Sequence, residues 1–291
     1  MSCRYAGLVG MAIAIFISST LQAAEIHNAI TQNNLARIKE LVRDDSKNVN
    51  INSSIGWTPM LCALFYQRVE IVEYLLSKNA DLNSSSGSEL TYAVERRGKD
   101  MVEKLLAAGA NVNLANPRRL NYSPLHTANL YGHEDIAELL IVNGANTEAK
   151  QTGGATPLHL AAYKNNPTMI AVLLKHKANV NATNDKKSTP LHAAARQGKN
   201  PAAVKLLVEA GAKVNAVDIE GNTPLKSACY NGQVDNIKFL LKKGPTSKPQ
   251  PTKRSRLCTK RHAGDMGQRS DFWSKPVRKS PPWTTRETLR Y

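Results

Sequence analysis

A hexamer of the form T-P-L-H-x-A returns along this chain at a nearly fixed interval. It reads AEIHNA from residue 24, TPMLCA from 58, SELTYA from 88, SPLHTA from 123, TPLHLA from 156, TPLHAA from 189 and TPLKSA from 223. Successive starts lie 34, 30, 35, 33, 33 and 34 residues apart. A period of this size marks a supersecondary unit that cannot hide its apolar side alone. Copies must stack, and contacts stay between nearest neighbours.

One unit shows how the residues specify it. The Thr156 hydroxyl is placed to cap a first helix, where backbone N–H groups are left without partners. Pro157 stands at the first helical position, where a missing N–H costs nothing. Leu158, Ala161 and Ala162 fall at i, i+3 and i+4 and make one apolar stripe. The alanines let adjacent helices approach closely. Thr58 with Pro59, Thr189 with Pro190 and Thr223 with Pro224 repeat the same start. A second apolar stretch follows in each unit, such as IVEYLL, IAELLI or MIAVLL. Gly109, Gly144 and Gly211 then suit the left-handed residue that ends a helix, Asn79 is the usual substitute, and Lys177 is a departure that costs stability.

These in-register hexamers, with the GA-N/K-V-N closures at 109–113 and 211–215, resemble the ankyrin repeat. The resemblance covers residues 24–244 and implies an all-α solenoid of stacked helix-turn-helix units joined by β-hairpin fingers. The boundaries read as an N-terminal cap at 25–56, repeats at 57–87, 122–154, 155–188 and 189–222, a degenerate repeat at 88–121, and a C-terminal cap at 223–244. The repeat at 88–121 lacks the Thr-Pro start and is expected to be the least regular.

His126, His159 and His192 recur at the period and could suggest a row of ligands. A metal ion needs its donors within about 2 Å. Equivalent residues of stacked helices are instead roughly 10 Å apart, and no Cys or acidic partner recurs beside them. The resemblance gives these histidines a structural task, hydrogen bonding within the unit and to the adjacent finger. No metal or cofactor is expected.

Family members bind other proteins through the concave face, with fingertips and exposed positions of the first helix. Here the two positions after the paired-alanine slot hold Thr31 and Gln32, Phe65 and Tyr66, Glu95 and Arg96, Leu130 and Tyr131, Tyr163 and Lys164, Arg196 and Gln197, and Tyr230 and Asn231. Trp57 and Tyr122 stand just before their hexamers. Aromatics are only 5% of the chain, so their recurrence on one strip singles out Trp57, Phe65, Tyr66, Arg96, Tyr122, Leu130, Tyr131, Tyr163, Lys164, Arg196 and Tyr230 as partner contacts. Interface hot spots favour Trp, Tyr and Arg.

Two terminal segments stand apart. In residues 1–24, Arg4 precedes an apolar run from Leu8 to Ile17, and small residues lead to a cut after Ala23 or Ala24; this is the pattern of a secretory signal peptide. The protein is thus expected to be exported, to a periplasm or the medium. Residues 245–291 carry 12 Lys/Arg against 3 Asp/Glu, more than half of the net charge of +16. Their Pro, Ser, Lys and Arg content is that of a disordered tail, and KRSRLCTKR could hold nucleic acid or anionic lipid. Four cysteines have no metal spacing and are not expected to form a disulfide framework; Cys229, in a paired-alanine slot, reads as a small core residue. No phosphate loop or catalytic motif is present. The expectation is a non-enzymatic, monomeric scaffold for a protein partner, with no small-molecule substrate; the alternative is an anionic-surface binder acting through the tail.

Overall fold

A computed structural model describes residues 20–84, 89–117, 119–197 and 201–244. The hydrophobic stretch before residue 20 and the basic tail lie outside them, so the leader, the tail disorder and the tail's anionic partners are expectations on residues the structure does not describe. Within the described residues there are fourteen α-helices in consecutive pairs. They are α1 (residues 20–31) with α2 (Leu35–Asp44), α3 (Pro59–Phe65) with α4 (Val69–Ser77), and α5 (Glu89–Glu95) with α6 (Lys99–Ala107). There follow α7 (Pro124–Tyr131) with α8 (Glu134–Val142), α9 (Pro157–Tyr163) with α10 (Pro167–Lys175), α11 (Pro190–Arg196) with α12 (Ala202–Glu209), and α13 (Pro224–Tyr230) with α14 (Val234–Lys242).

The first helices stack in a row, α3 on α5, α5 on α7, and so on to α13, while α6, α8, α10 and α12 form a second row behind them. The fold is an all-α helical solenoid. Its core runs through the stack as one cluster, from Ile26 and Ile30 to Ile237 and Leu240. Ala161, Ala162, Ala194 and Ala195 are all fully buried where α9 and α11 meet their neighbours, as the small-residue stripe requires.

Helix starts follow the hexamer. Thr58, Ser123 and Thr223 accept backbone N–H bonds from Leu61, His126 and Lys226 at 3.0, 3.4 and 3.3 Å. Proline occupies the first turn of α3, α7, α9, α11 and α13. At the ends of the second helices, Asn79, Gly109, Gly144, Lys177 and Gly211 all have φ between 56° and 90°. Lys177, at φ 62°, therefore holds a conformation that costs a side-chain-bearing residue roughly 1–2 kcal/mol.

The fingers are turns and not paired strands. Four of them close through a pair of backbone bonds: Ser53 N to Trp57 O with Gly56 N to Ser53 O, Gln151 N to Ala155 O with Gly154 N to Gln151 O, Asn184 N to Ser188 O with Lys187 N to Asn184 O, and Asp218 N to Asn222 O with Gly221 N to Asp218 O. Among the described residues the one β-bridge is Asn116 with Tyr122. A loop this short spends its backbone on its own closure and on the next finger: Thr152 N donates to Leu120 O, Asp185 N to Gly153 O and Ile219 N to Lys186 O. Gly154 (φ +74°) makes this approach feasible, since a Cβ there would lie 2.7 Å from the Asp185 backbone nitrogen.

Two sets of side chains tie unit to unit. In the first, the Nδ1 atoms of His126, His159 and His192 accept from the backbone N–H of Ser123, Thr156 and Thr189 at 3.4, 3.2 and 3.1 Å. The hydroxyls of those three residues lie 2.8–2.9 Å from the same atoms. The opposite Nε2–H then donates to the carbonyl at the base of the next finger, Ala155, Ser188 or Asn222, at 3.2, 2.9 and 2.9 Å. In the second set, Asn83, Asn113 and Asn181 accept from the backbone N–H of Asn111, Asn146 and Lys213 at 2.7, 2.7 and 2.8 Å. Their amides donate onward to the carbonyls of Gly109, Gly144 and Gly211.

The third pair is irregular in the expected place. Thr91 occupies the histidine slot, and its buried hydroxyl has no hydrogen-bond partner among the described residues. At the junction of the second and third pairs, where Leu61 stands in the histidine slot, the contact is made by Glu89, in the proline slot of the third unit. It is fully buried, and its Oε1 accepts from the Thr58 hydroxyl at 2.8 Å and from the Ser84 hydroxyl at 3.1 Å. Burial raises its carboxyl above the usual range.

Cys229 is half-buried and packs against the core cluster, as its place in a paired-alanine slot leads one to expect. Cys62 is a buried free thiol, pushed up to about 11 by burial.

Burial pushes His126 and His159 down to about 4, and lowers His192 as well. The unfolded chain binds protons at these rings near pH 6.5 while the folded chain does not. The stability they contribute is complete above pH 6.5 and is lost as pH falls toward 4. Thermal melting followed by circular dichroism is therefore expected to show Tm falling between about pH 7 and 4, and His159→Gln to flatten that slope while lowering Tm at pH 7.

Candidate protein-interaction strip

The paired-alanine positions face the stack, so the residues that follow them emerge at the C-terminal end of each first helix. Tyr66, Tyr131 and Tyr230 are 41%, 44% and 75% exposed, and Arg96, Lys164 and Arg196 are also exposed. The other residues singled out from the sequence, Trp57, Phe65, Tyr122, Leu130 and Tyr163, are half-buried. The strip thus has a layer that meets solvent and a layer that supports it.

At its N-terminal end the support is an aromatic cluster. The Phe65 ring lies 4.9 Å from Trp57, 5.1 Å from Tyr66 and 5.7 Å from Tyr92, centroid to centroid. The Arg96 guanidinium stands over the rings of Tyr92 and Phe65 at 5.3 and 5.8 Å. Its Nε and Nη2 donate to the Tyr92 hydroxyl at 3.2 and 2.7 Å. Such stacking fixes the long side chain at little entropic expense and adds a cation–π attraction of about 0.5–1 kcal/mol at exposed sites. Trp57 is held at its carbonyl, which accepts from His27 Nε2 at 2.9 Å.

In the middle, Glu95 binds two neighbours. It pairs with Arg119 of the following finger at 2.6 Å and accepts from the Tyr131 hydroxyl at 2.8 Å. Tyr131 in turn lies over His133, 6.0 Å between centroids and near-parallel. Tyr122 is stacked on His126 at 5.7 Å, at the base of its finger, and supports that helix start rather than the exposed layer. Toward the C-terminal end, Lys164 and Arg196 enter no ion pair among the described residues, and Asn231 donates to the Arg196 carbonyl at 2.9 Å.

Tyr92 and Arg119 complete the strip and were not singled out from the sequence. Tyr92 sits in the variable slot before the first alanine, inside the hexamer that departs most from the pattern. Arg119 belongs to the finger 116–122, whose reach toward Glu95 depends on a fold of the loop that the spacing does not encode. Among the described residues no group of three His, Cys, Asp or Glu converges to hold a metal ion. The repeat histidines spend both ring nitrogens on the stitching described above.

Aromatic and cationic side chains thus stand on successive first helices of the stack. Comparison with known proteins gives the family: the profile of ankyrin repeats matches in three copies, over residues 25–86, 90–184 and 178–250. The chain belongs to the ankyrin repeat family, whose repeats are in general protein-interaction modules. It is 30% identical over 94 residues to the rat ankyrin repeat and SAM domain-containing protein 6, covering 31% of this chain and 11% of that protein. It is 40% identical over 67 residues to human 2-5A-dependent ribonuclease, covering 23% of this chain and 9% of the relative. It is 34% identical over 120 residues to the Drosophila melanogaster tyrosine-protein kinase Shark, covering 40% and 13%. The chain spans about a tenth of the length of each of these relatives, so the activities in their names are statements about those proteins.

Burial, then the Glu95 carboxylate that accepts from its hydroxyl, holds Tyr131 above the ordinary phenol range, with Arg119 pulling the other way. Glu95→Gln removes the negative charge and leaves an amide acceptor. A difference spectrophotometric titration against the unaltered protein is expected to show one tyrosine ionising at lower pH in the variant.

Proposed function

We propose that this protein is a non-enzymatic scaffold that captures a protein partner on the strip formed by its first helices. The supporting observation is the recurrence of exposed Tyr66, Arg96, Tyr131, Lys164, Arg196 and Tyr230 at equivalent ends of successive helices. Stacked helix pairs give such residues fixed mutual positions, and a rigid display lowers the ordering cost of binding. A strip of this length could supply about 800 Å² per partner, the standard interface size. The half-buried residues beneath it, Phe65 and Tyr163 among them, keep the exposed layer in place. Each unit touches only its neighbours, so the scaffold has no need of a second copy and acts as a monomer.

The double variant Tyr131→Ala with Tyr163→Ala is expected to lose partner capture while keeping its helical circular dichroism. Undiminished capture by that variant would retire the strip.

Export is part of the same reading. Its support is the positive, apolar and small-residue order of residues 1–24. Cleavage after Ala23 or Ala24 would shorten α1, in which Ala23 is buried and its carbonyl lies 2.6 Å from His27 Nδ1. His27 Nε2 would keep its contact with Trp57. Mass spectrometry of the protein recovered from the exporting cell is expected to place the mature N-terminus at Ala24 or Glu25; an intact Met1 would exclude a cleaved leader.

A further inference from the structure

The charge on the strip is one-sided, and its spacing is uneven. Of the two positions that follow the paired alanines in each unit, only one is acidic among the described residues, Glu95, and its carboxylate is taken up by Arg119 and Tyr131. Three are cationic: Arg96 in the third unit, Lys164 in the fifth and Arg196 in the sixth. Arg96 is fixed through Nε and Nη2, which leaves Nη1 without a partner among the described residues. Lys164 and Arg196 are exposed and unpaired in the same sense. Tyr131, in the fourth unit, separates Arg96 from the other two and offers a ring face.

We propose that the partner segment bound on this strip is an extended acidic peptide whose carboxylates are spaced to meet Arg96, Lys164 and Arg196. This rests on the strip being the interaction surface. Stacked helices stand roughly 10 Å apart, and an extended chain advances about 3.3 Å per residue, so one unit corresponds to about three peptide residues. Arg96 and Lys164 are two units apart, Lys164 and Arg196 one. The complementary segment carries acids at positions 1, 7 and 10, or the same pattern reversed, with an apolar residue at position 4 over Tyr131. A nucleic acid fits this arrangement less well. A single strand presents a phosphate at every nucleotide and is tracked by a continuous positive groove, whereas these cations are separated by one or two units.

The test uses the full chain and two fluorescent decapeptides of identical composition. One has Glu at positions 1, 7 and 10 with Leu at 4; the other has the three Glu adjacent and Leu displaced. Both carry the same net charge, and the basic cluster in segment 245–291 favours the adjacent acids if either, so a preference for the spaced peptide does not come from that segment. The spaced peptide is expected to bind about eightfold more tightly, roughly twofold for each of three exposed ion pairs. Lys164→Ala with Arg196→Ala should reduce that preference to about twofold while leaving the melting temperature unchanged. Equal affinity for the two peptides, no measurable binding of either, or a preference unaffected by the two substitutions overturns the proposal. So does an oligothymidylate that outcompetes the spaced peptide in the unaltered protein but not in the double variant. These outcomes are separate from the tyrosine test: loss of capture by Tyr131→Ala with Tyr163→Ala, together with equal peptide binding, would leave the strip standing and remove its acidic register.

Discussion

The structure depends on how a helix pair meets its neighbour. No pair can bury its apolar face alone, and polar backbone at the base of each finger must also find a partner when the next unit covers it. One neutral imidazole solves both parts at each regular junction. Its Nδ1 accepts within its own helix start and its Nε2–H reaches the carbonyl of the next finger. That geometry requires the uncharged ring, which is why burial and low proton affinity accompany it. The finger asparagines repeat the device at a second level, each accepting from one backbone N–H and donating to a glycine carbonyl of the following unit.

Much of this was legible because it is periodic. The hexamer fixed helix starts through Thr and Pro, the paired alanines marked the stacking face, and Gly or Asn marked the helix ends. The repeat histidines could be read as structural because ligands would need to converge where stacked copies are held apart. Less regular features were not legible. Glu89 stands in a proline slot and reads as a defect, yet it supplies the hydrogen bond to Thr58 that a histidine would make elsewhere. The inter-unit use of Asn83, Asn113 and Asn181 was hidden because a polar loop residue gives no signal of what it faces. The fingers, expected as hairpins, close with two bonds around a single turn because they are too short for a ladder.

The strip shows the same division. Alternation of aromatic and cationic residues at the ends of first helices could be extracted from the repeat register. Which of them meet solvent could not, since Phe65 and Tyr66 are adjacent in sequence and differ only in which side of α3 they leave. Tyr92 and Arg119 come from the least regular unit and its finger. They bind Arg96 and Glu95 in place and so determine which charges remain available on the surface.

Glu89 has a consequence for the array as a whole. Its carboxyl, raised by burial, favours the folded state in acid and disfavours it as pH climbs above the ordinary carboxylate range. The imidazole seams of the fourth to seventh pairs behave in the opposite sense. Because coupling in a stack is between neighbours only, the two responses need not cancel. Falling pH therefore weakens the junctions of the fourth to seventh pairs, whereas pH rising out of the ordinary carboxylate range weakens the junction of the second and third. Proton concentration thus selects which junction of the stack is weakened.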